Sequence, residues 1–214
     1  MLFRSYNCEN VVVQYNFSAR NAGGFCEILG NNRNCAYRYN VSVDDGHRVK
    51  GQGGAFQEGK LFWLSGYVGN RQKPRGPFNS YFYNNTIYVR GDIVSKLAVA
   101  PTAEGVLVAN NIFCVVGRTA KVAGDQAKSD QLAVRPIERA VMKNNLFLRA
   151  DVWPKNLGLD DSAPLIGDPE FTTPGGDRLA DYVPRNLRLV KDRGIAIKPI
   201  PDYPVGLALG LKVT

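Results

Sequence analysis

The 214-residue sequence has little of what metal and redox sites are usually made from. It holds one histidine, His47, so a histidine-built metal site is excluded. Its four cysteines, Cys8, Cys26, Cys35 and Cys114, have no paired close spacing, so they read as small buried apolar side chains rather than a zinc site. One disulfide, Cys26 with Cys35, stays open to the chain if it is exported. No apolar run approaches the ~20 residues of a membrane helix, so no membrane span is expected. No long segment keeps a 3.6-residue apolar period, and 22 glycines and 12 prolines are spread throughout, so long helices are not expected. The opening MLFRS runs into strand-like sequence without a signal peptide. It also lacks the polar or helical cap with which a repeat array begins, so we expect the chain to be the C-terminal part of a longer protein.

Acidic residues are in deficit. Lys and Arg number 27 against 19 Asp and Glu, a formal charge of +8 that favours a polyanionic partner. The basic residues are scattered, at Arg71, Lys73, Arg75, Arg118 and Lys121 among others, and form no dense block. No helix-turn-helix, zinc-finger or RNA-binding signature accompanies them, so an acidic glycan is the preferred partner over nucleic acid.

What the sequence does have is a repeat. VVVQYNFS at 11–18, CAYRYNVS at 35–42, SYFYNNTIYV at 80–89, VLVANNIFCV at 106–115 and AVMKNNLFLR at 140–149 align on Asn16, Asn40, Asn85, Asn111 and Asn145. The intervals are 24, 45, 26 and 34 residues. We read 24 and 26 as one solenoid turn each, and 45 as two turns with an extra one around LFWL at 61–64. The 34-residue interval then reads as one turn with a loop grown out of it. Three residues before the Asn stand Val13, Tyr37, Phe82, Val108 and Met142, apolar in every copy. One residue after it stand Phe17, Val41, Thr86, Ile112 and Leu146, and two before it stand mostly polar or long side chains. Alternation with period two marks strands with one buried face. The Asn is expected at the bend, tolerating left-handed backbone angles and bonding the next Asn in a ladder. Asn-Asn hairpins in an antiparallel sandwich would not need the same five-residue context each time.

The motifs NNTIYV and NNIFCV, with RYNVSVDDG and LIGDPEFTTPGGDRL, resemble the C-terminal half of bacterial right-handed parallel β-helix repeat proteins of the pectate-lyase-like superfamily. The resemblance covers roughly residues 8–195. It implies an all-β fold, a right-handed parallel β-helix over 1–165 with an irregular C-terminal closing segment over 166–214. In that segment Gly167, Asp168, Pro169, Phe171 and Pro174 would take the closing role. The Ser-Pro-Ala step often found in such tails is replaced here by Arg193, Gly194 and Ile195. The resemblance also implies a secreted or cell-surface protein that binds or cleaves an extended, acidic polysaccharide. The same fold serves non-catalytic scaffolds, adhesins and tail-spike modules, which is the alternative.

Chemistry is expected on the loops and outer faces. The segment VDDGHRVKG is the densest cluster, with Asp44, Asp45, His47, Arg48 and Lys50. A lyase needs a base for the proton α to a uronate carboxyl and a cation to stabilise the enolate. Lys50 or Arg48 would be the base, with Asp44 and Asp45 holding Ca2+ as the one cofactor considered. A hydrolase instead needs two carboxylates, for which Asp45 with Glu27 or Glu58 are candidates. The two readings differ over Asp45 and both stay open. Against both stands the plainer reading of Asp-Asp-Gly as a turn. Glu27, Arg38, Trp63 and Tyr83 are the substrate-binding candidates. Arg71, Lys73 and Arg75 read as a solvated loop in preference to a sugar clamp.

Overall fold

The structure is a computed structural model that describes residues 3–47, 59–69, 71–123 and 136–200. The chain enters three sheets in rotation. β1 (Phe3–Ser5), β2 (Val12–Gln14) and β3 (Phe17–Ala19) each begin a different sheet. A second circuit adds β4 (Cys26–Ile28), β5 (Arg33–Arg38) and β6 (Val41–Val43) in the same order. A third adds β7 (Lys60–Leu64), β8 (Phe78–Tyr83) and β9 (Thr86–Val89). The fourth adds β10 (Ser95–Val99), β11 (Glu104–Ala109) and β12 (Ile112–Val115). The fifth adds β13 (Thr119–Ala123), β14 (Glu138–Lys143) and β15 (Leu146–Phe147), and β16 (Leu165–Ile166) then extends the third sheet. Neighbouring strands in all three sheets are parallel. The described chain is thus nearly all β, with one four-residue helical turn, α1 (Leu187–Val190), and one 3-10 turn.

Register follows the repeat. Val13, Tyr37, Phe82, Val108 and Met142 are successive partners across the second sheet. They face the interior, where Phe82, Phe113 and Phe147 stack in sequence with centroid separations of 6.3 and 5.3 Å. Trp153 lies against Phe113 and Phe147, and with Val152, Leu157 and Leu159 it fills the interior beyond the last long strands. Its indole N–H donates to the Leu159 carbonyl at 2.7 Å, so this large side chain is buried without an orphaned donor.

Two expectations are corrected. Asn40 donates directly to Asn85 at 3.0 Å and Arg38 lies opposite Tyr83, so the 45-residue interval is one circuit and not two. LFWL belongs to β7, the first-sheet strand of that same circuit, and the extra length lies in the connections on either side of it. The ladder Asn is also not the residue in the left-handed region. The residue before it is: Tyr15, Tyr39, Asn84, Asn110 and Asn144 have φ of 57°, 53°, 54°, 55° and 61°. The bend is made one position early, which frees the next side chain to turn inward and bond along the stack.

That stack is continuous. Each amide Nδ2 donates to the next Oδ1, from Asn16 to Asn40, Asn85, Asn111 and Asn145, at 2.8–3.0 Å. The same oxygens accept the backbone N–H of the preceding ladder residue. All the amides point one way, so the row must end on a group that only accepts. It ends on the Asp161 carboxylate, which takes the Nδ2 of Asn145 at 2.6 Å and the backbone N–H groups of Asn144 and Asn145.

The outer faces do not meet water as the alternating pattern implied. Beyond β16 the chain runs along them. Phe171 and Tyr182 pack on Val43, Tyr88 and Cys114 outside the third sheet. Ile195, Ile197 and Ile200 pack on Tyr81, Tyr83 and Leu107 outside the second. Residues one after the ladder Asn, such as Val41 and Ile112, face this outer layer, while those two after, such as Ile87 and Phe113, face in. Strands covered on both faces need apolar residues on both.

Candidate functional site

The Asp-Asp-Gly segment is a bend held by its own carboxylates. Asp44 has φ 52°, and its Oδ1 accepts the Arg90 N–H at 2.8 Å from the next circuit. Asp45 Oδ1 accepts both the backbone and side-chain N–H of Asn21 at 2.9 Å. Its Oδ2 accepts the hydroxyls of Ser42, at 2.7 Å, and of Ser18. Both aspartates are buried, and both oxygens of Asp45 are thereby engaged. Among the described residues no group of three or more His, Cys, Asp or Glu side chains converges as a metal site would require. His47 is exposed at the rim, and Arg48, Lys50 and Glu58 lie outside the described residues.

Glu27 and Trp63 are register partners on the outer face of the first sheet. A third residue joins them. Lys60 Nζ lies 3.1 Å from Glu27 Oε1 and 4.5 Å from the centre of the Trp63 ring. Both charged side chains are fully buried, at 1% and 0% exposure. The chain comes close here: a Cβ at Gly24 would overlap the Lys60 carbonyl, which accepts the Phe25 N–H at 2.9 Å. The sequence contained one sign of Lys60, a lysine opening the apolar strand KLFWL, but not of its partner 33 positions away.

Arg38 and Tyr83 meet on the outer face of the second sheet. Arg38 donates to the Tyr83 hydroxyl at 2.7 Å and to Gln14 Oε1 at 2.8 Å. Burial pushes the Tyr83 phenol above its ordinary value, against the pull of the Arg38 hydrogen bond and charge. All four residues expected to touch substrate are therefore buried, in two separate pairs.

The accessible cations are elsewhere. At the bend between the first and second sheets a groove of about 440 Å³ is lined by Tyr6, Asn7, Asn31, Val68, Gln72, Lys73 and Arg75. Asn31 donates to Asn7 at 3.0 Å, repeating the amide stacking of the ladder at a more open corner. Backbone bonds from Asn31 to the Arg75 carbonyl and from Arg75 to the Gly66 carbonyl fix the basic loop against this corner. Arg33 and Arg75 both lie over the Phe78 ring, at 4.3 and 5.7 Å. Stacking on an aromatic limits the guanidinium's freedom without neutralising it. Among the described residues no carboxylate lines the groove, and Lys73 and Arg75 bring positive charge to it. These two are the residues that sequence reasoning set aside as a solvated loop.

All four cysteines are free thiols, so the Cys26–Cys35 disulfide is not formed. Burial pushes Cys35 up to about 11 and Cys114 up to about 12, and raises Cys26 well above the ordinary thiol value. A thiol reagent at neutral to mildly alkaline pH should reach only the half-buried Cys8 in the native protein, and all four after denaturation. Several thiols reacting in the native state would contradict this packing.

No protein-family model matches the chain. No curated protein matches it. No solved structure matches it either.

Proposed function

We propose that the chain is a right-handed parallel β-helix of the pectate-lyase-like kind, and that it binds an extended acidic polysaccharide at the groove beside Lys73 and Arg75. The fold reading is supported by strands that visit three parallel sheets in turn and by the unbroken Asn row. The observation that carries the ligand is the groove: two exposed cations, three side-chain amides and the Tyr6 ring, with no acidic side chain among them. Cations match uronate carboxylates, amides match hydroxyls, and an exposed aromatic matches the apolar face of a sugar. The +8 charge draws a polyanion towards the protein from a distance. Polymers of this kind lie outside cells, so the proposal places the protein there or at the cell surface.

A panel of polygalacturonate, alginate and neutral xylan, assayed at low and high salt, tests this reading. Binding of a uronate polymer that weakens as salt rises is the expected result, because exposed charge pairs are screened. Absence of uronate binding, or uronate binding insensitive to salt, would leave a non-catalytic scaffold as the better description.

A further inference from the structure

A second groove, of about 510 Å³, follows the bend between the second and third sheets and has a different chemistry. We propose that this corner binds a neutral oligosaccharide, with the Tyr15 ring, backed by the half-buried Tyr39, as the stacking surface beyond the groove's Asn84 end and Asn84 as the hydrogen-bonding group.

The inference starts from backbone conformation. Five corner positions share a left-handed φ between 53° and 61°. Three are asparagine, a residue that adopts this conformation at low cost, and two are tyrosine, which does not. Core packing does not recover the cost at Tyr15, which is 68% exposed. Its ring stacks on Tyr39 at 5.4 Å and 19°. Aromatic surface held towards solvent at a backbone cost is the pattern expected of a ligand contact.

The hydrogen-bonding group is next in the row. Strand stacking puts Tyr39 about 5 Å and Tyr15 about 10 Å from Asn84 along the corner. Asn110 already uses its amide in two directions, donating to the Ile195 carbonyl at 2.8 Å and accepting its N–H at 3.1 Å. Asn144 likewise donates to the Arg193 carbonyl at 2.8 Å. Asn84 lines the groove and its side-chain amide has no partner among the described residues. It can offer a hydroxyl-bearing chain the same paired donor and acceptor that Asn110 offers the backbone. A sugar ring supplies both halves, an apolar face for tyrosine and adjacent hydroxyls for the amide. Among the described residues no carboxylate lines this groove, and its single cation, Arg193, belongs to the segment bound at the Asn144 end. A neutral chain fits that composition.

The probes are cellohexaose, xylohexaose and mannohexaose, titrated against the intact chain by calorimetry at low and high salt, with a proline-rich decapeptide as the competing chemistry. At least one hexasaccharide is expected to bind with an affinity unaffected by salt and by Lys73→Gln/Arg75→Gln. Tyr15→Asn should weaken it about fivefold to tenfold. The melting temperature should hold or rise, because asparagine already occupies three equivalent corners. Asn84→Ala should weaken it in the same range. Failure of all three sugars to bind, binding unchanged in both variants, or binding of the peptide in their place would overturn the proposal. Loss of the sugar in Lys73→Gln/Arg75→Gln would also overturn it by moving the contact to the basic groove.

Discussion

Replacing Asn85 with alanine should cost about 2–4 kcal/mol, enough to lower the melting temperature by about 5–15 °C in a protein of this size. Asn85 is the middle of the ladder and fully buried. Its oxygen accepts both the backbone N–H and the amide of Asn40, and its amide donates to Asn111 and to the carbonyls of Tyr37 and Tyr83. Removing it leaves the Asn40 N–H buried without an acceptor, which costs more than one ordinary hydrogen bond contributes. Asn16→Ala is the internal comparison. Asn16 is partly exposed and only donates, to Asn40 and Gln14, so its loss should cost about 1 kcal/mol or less. Equal effects at the two positions, measured by thermal or urea unfolding, would mean the ladder is not a buried cooperative row.

Lys60→Met should be the more damaging change, at about 3–5 kcal/mol, because it removes the ammonium that pairs with the buried Glu27 carboxylate in a place closed to water. The salt bridge need not stabilise the fold relative to an apolar pair of the same shape. Breaking one side is what hurts. Adding Glu27→Gln to Lys60→Met should therefore recover most of the loss, a coupling that a double-mutant cycle in urea reads directly. A cost below about 1 kcal/mol for Lys60→Met would show that the pair is solvated, as surface ion pairs are. The Trp63 face contributes to the same pocket, since the ammonium sits 4.5 Å from the ring centre.

Much of this architecture was legible because it is local and repeated. The motif around each Asn identified the paired strands, and alignment on that Asn gave the register found, Val13 to Tyr37 to Phe82 to Val108 to Met142. Counting residues between motifs was a poorer guide. A loop lengthens an interval as readily as a further circuit does, and for the 45-residue step it takes the Asn40–Asn85 bond and the β5–β8 pairing to separate the two. Asp161 carries no motif at all; its place as the final acceptor depends on the chain coming back to the row 16 residues after Asn145 and just before β16. The outer faces misled for a related reason. Tyr83 and Arg38 look like exposed residues on an alternating strand, but a segment more than a hundred positions later covers the surface that holds them. The basic loop was read as solvated, and Lys73 and Arg75 are indeed exposed; what the sequence hid is their company. Lys73 and Arg75 are an ordinary solvated run until Asn7 and Asn31 are brought beside them from two earlier circuits.

The ligand proposal rests on that convergence, and one measurement addresses it most directly. Affinity for polygalacturonate is measured across a range of salt concentrations for the native protein and for Lys73→Gln/Arg75→Gln. The account predicts about tenfold weaker binding of the variant at low salt, a shallower decline with salt, and curves that meet at high salt where the charge contribution is screened. Superimposable curves for the two proteins would contradict it, and would detach the basic groove from polysaccharide recognition.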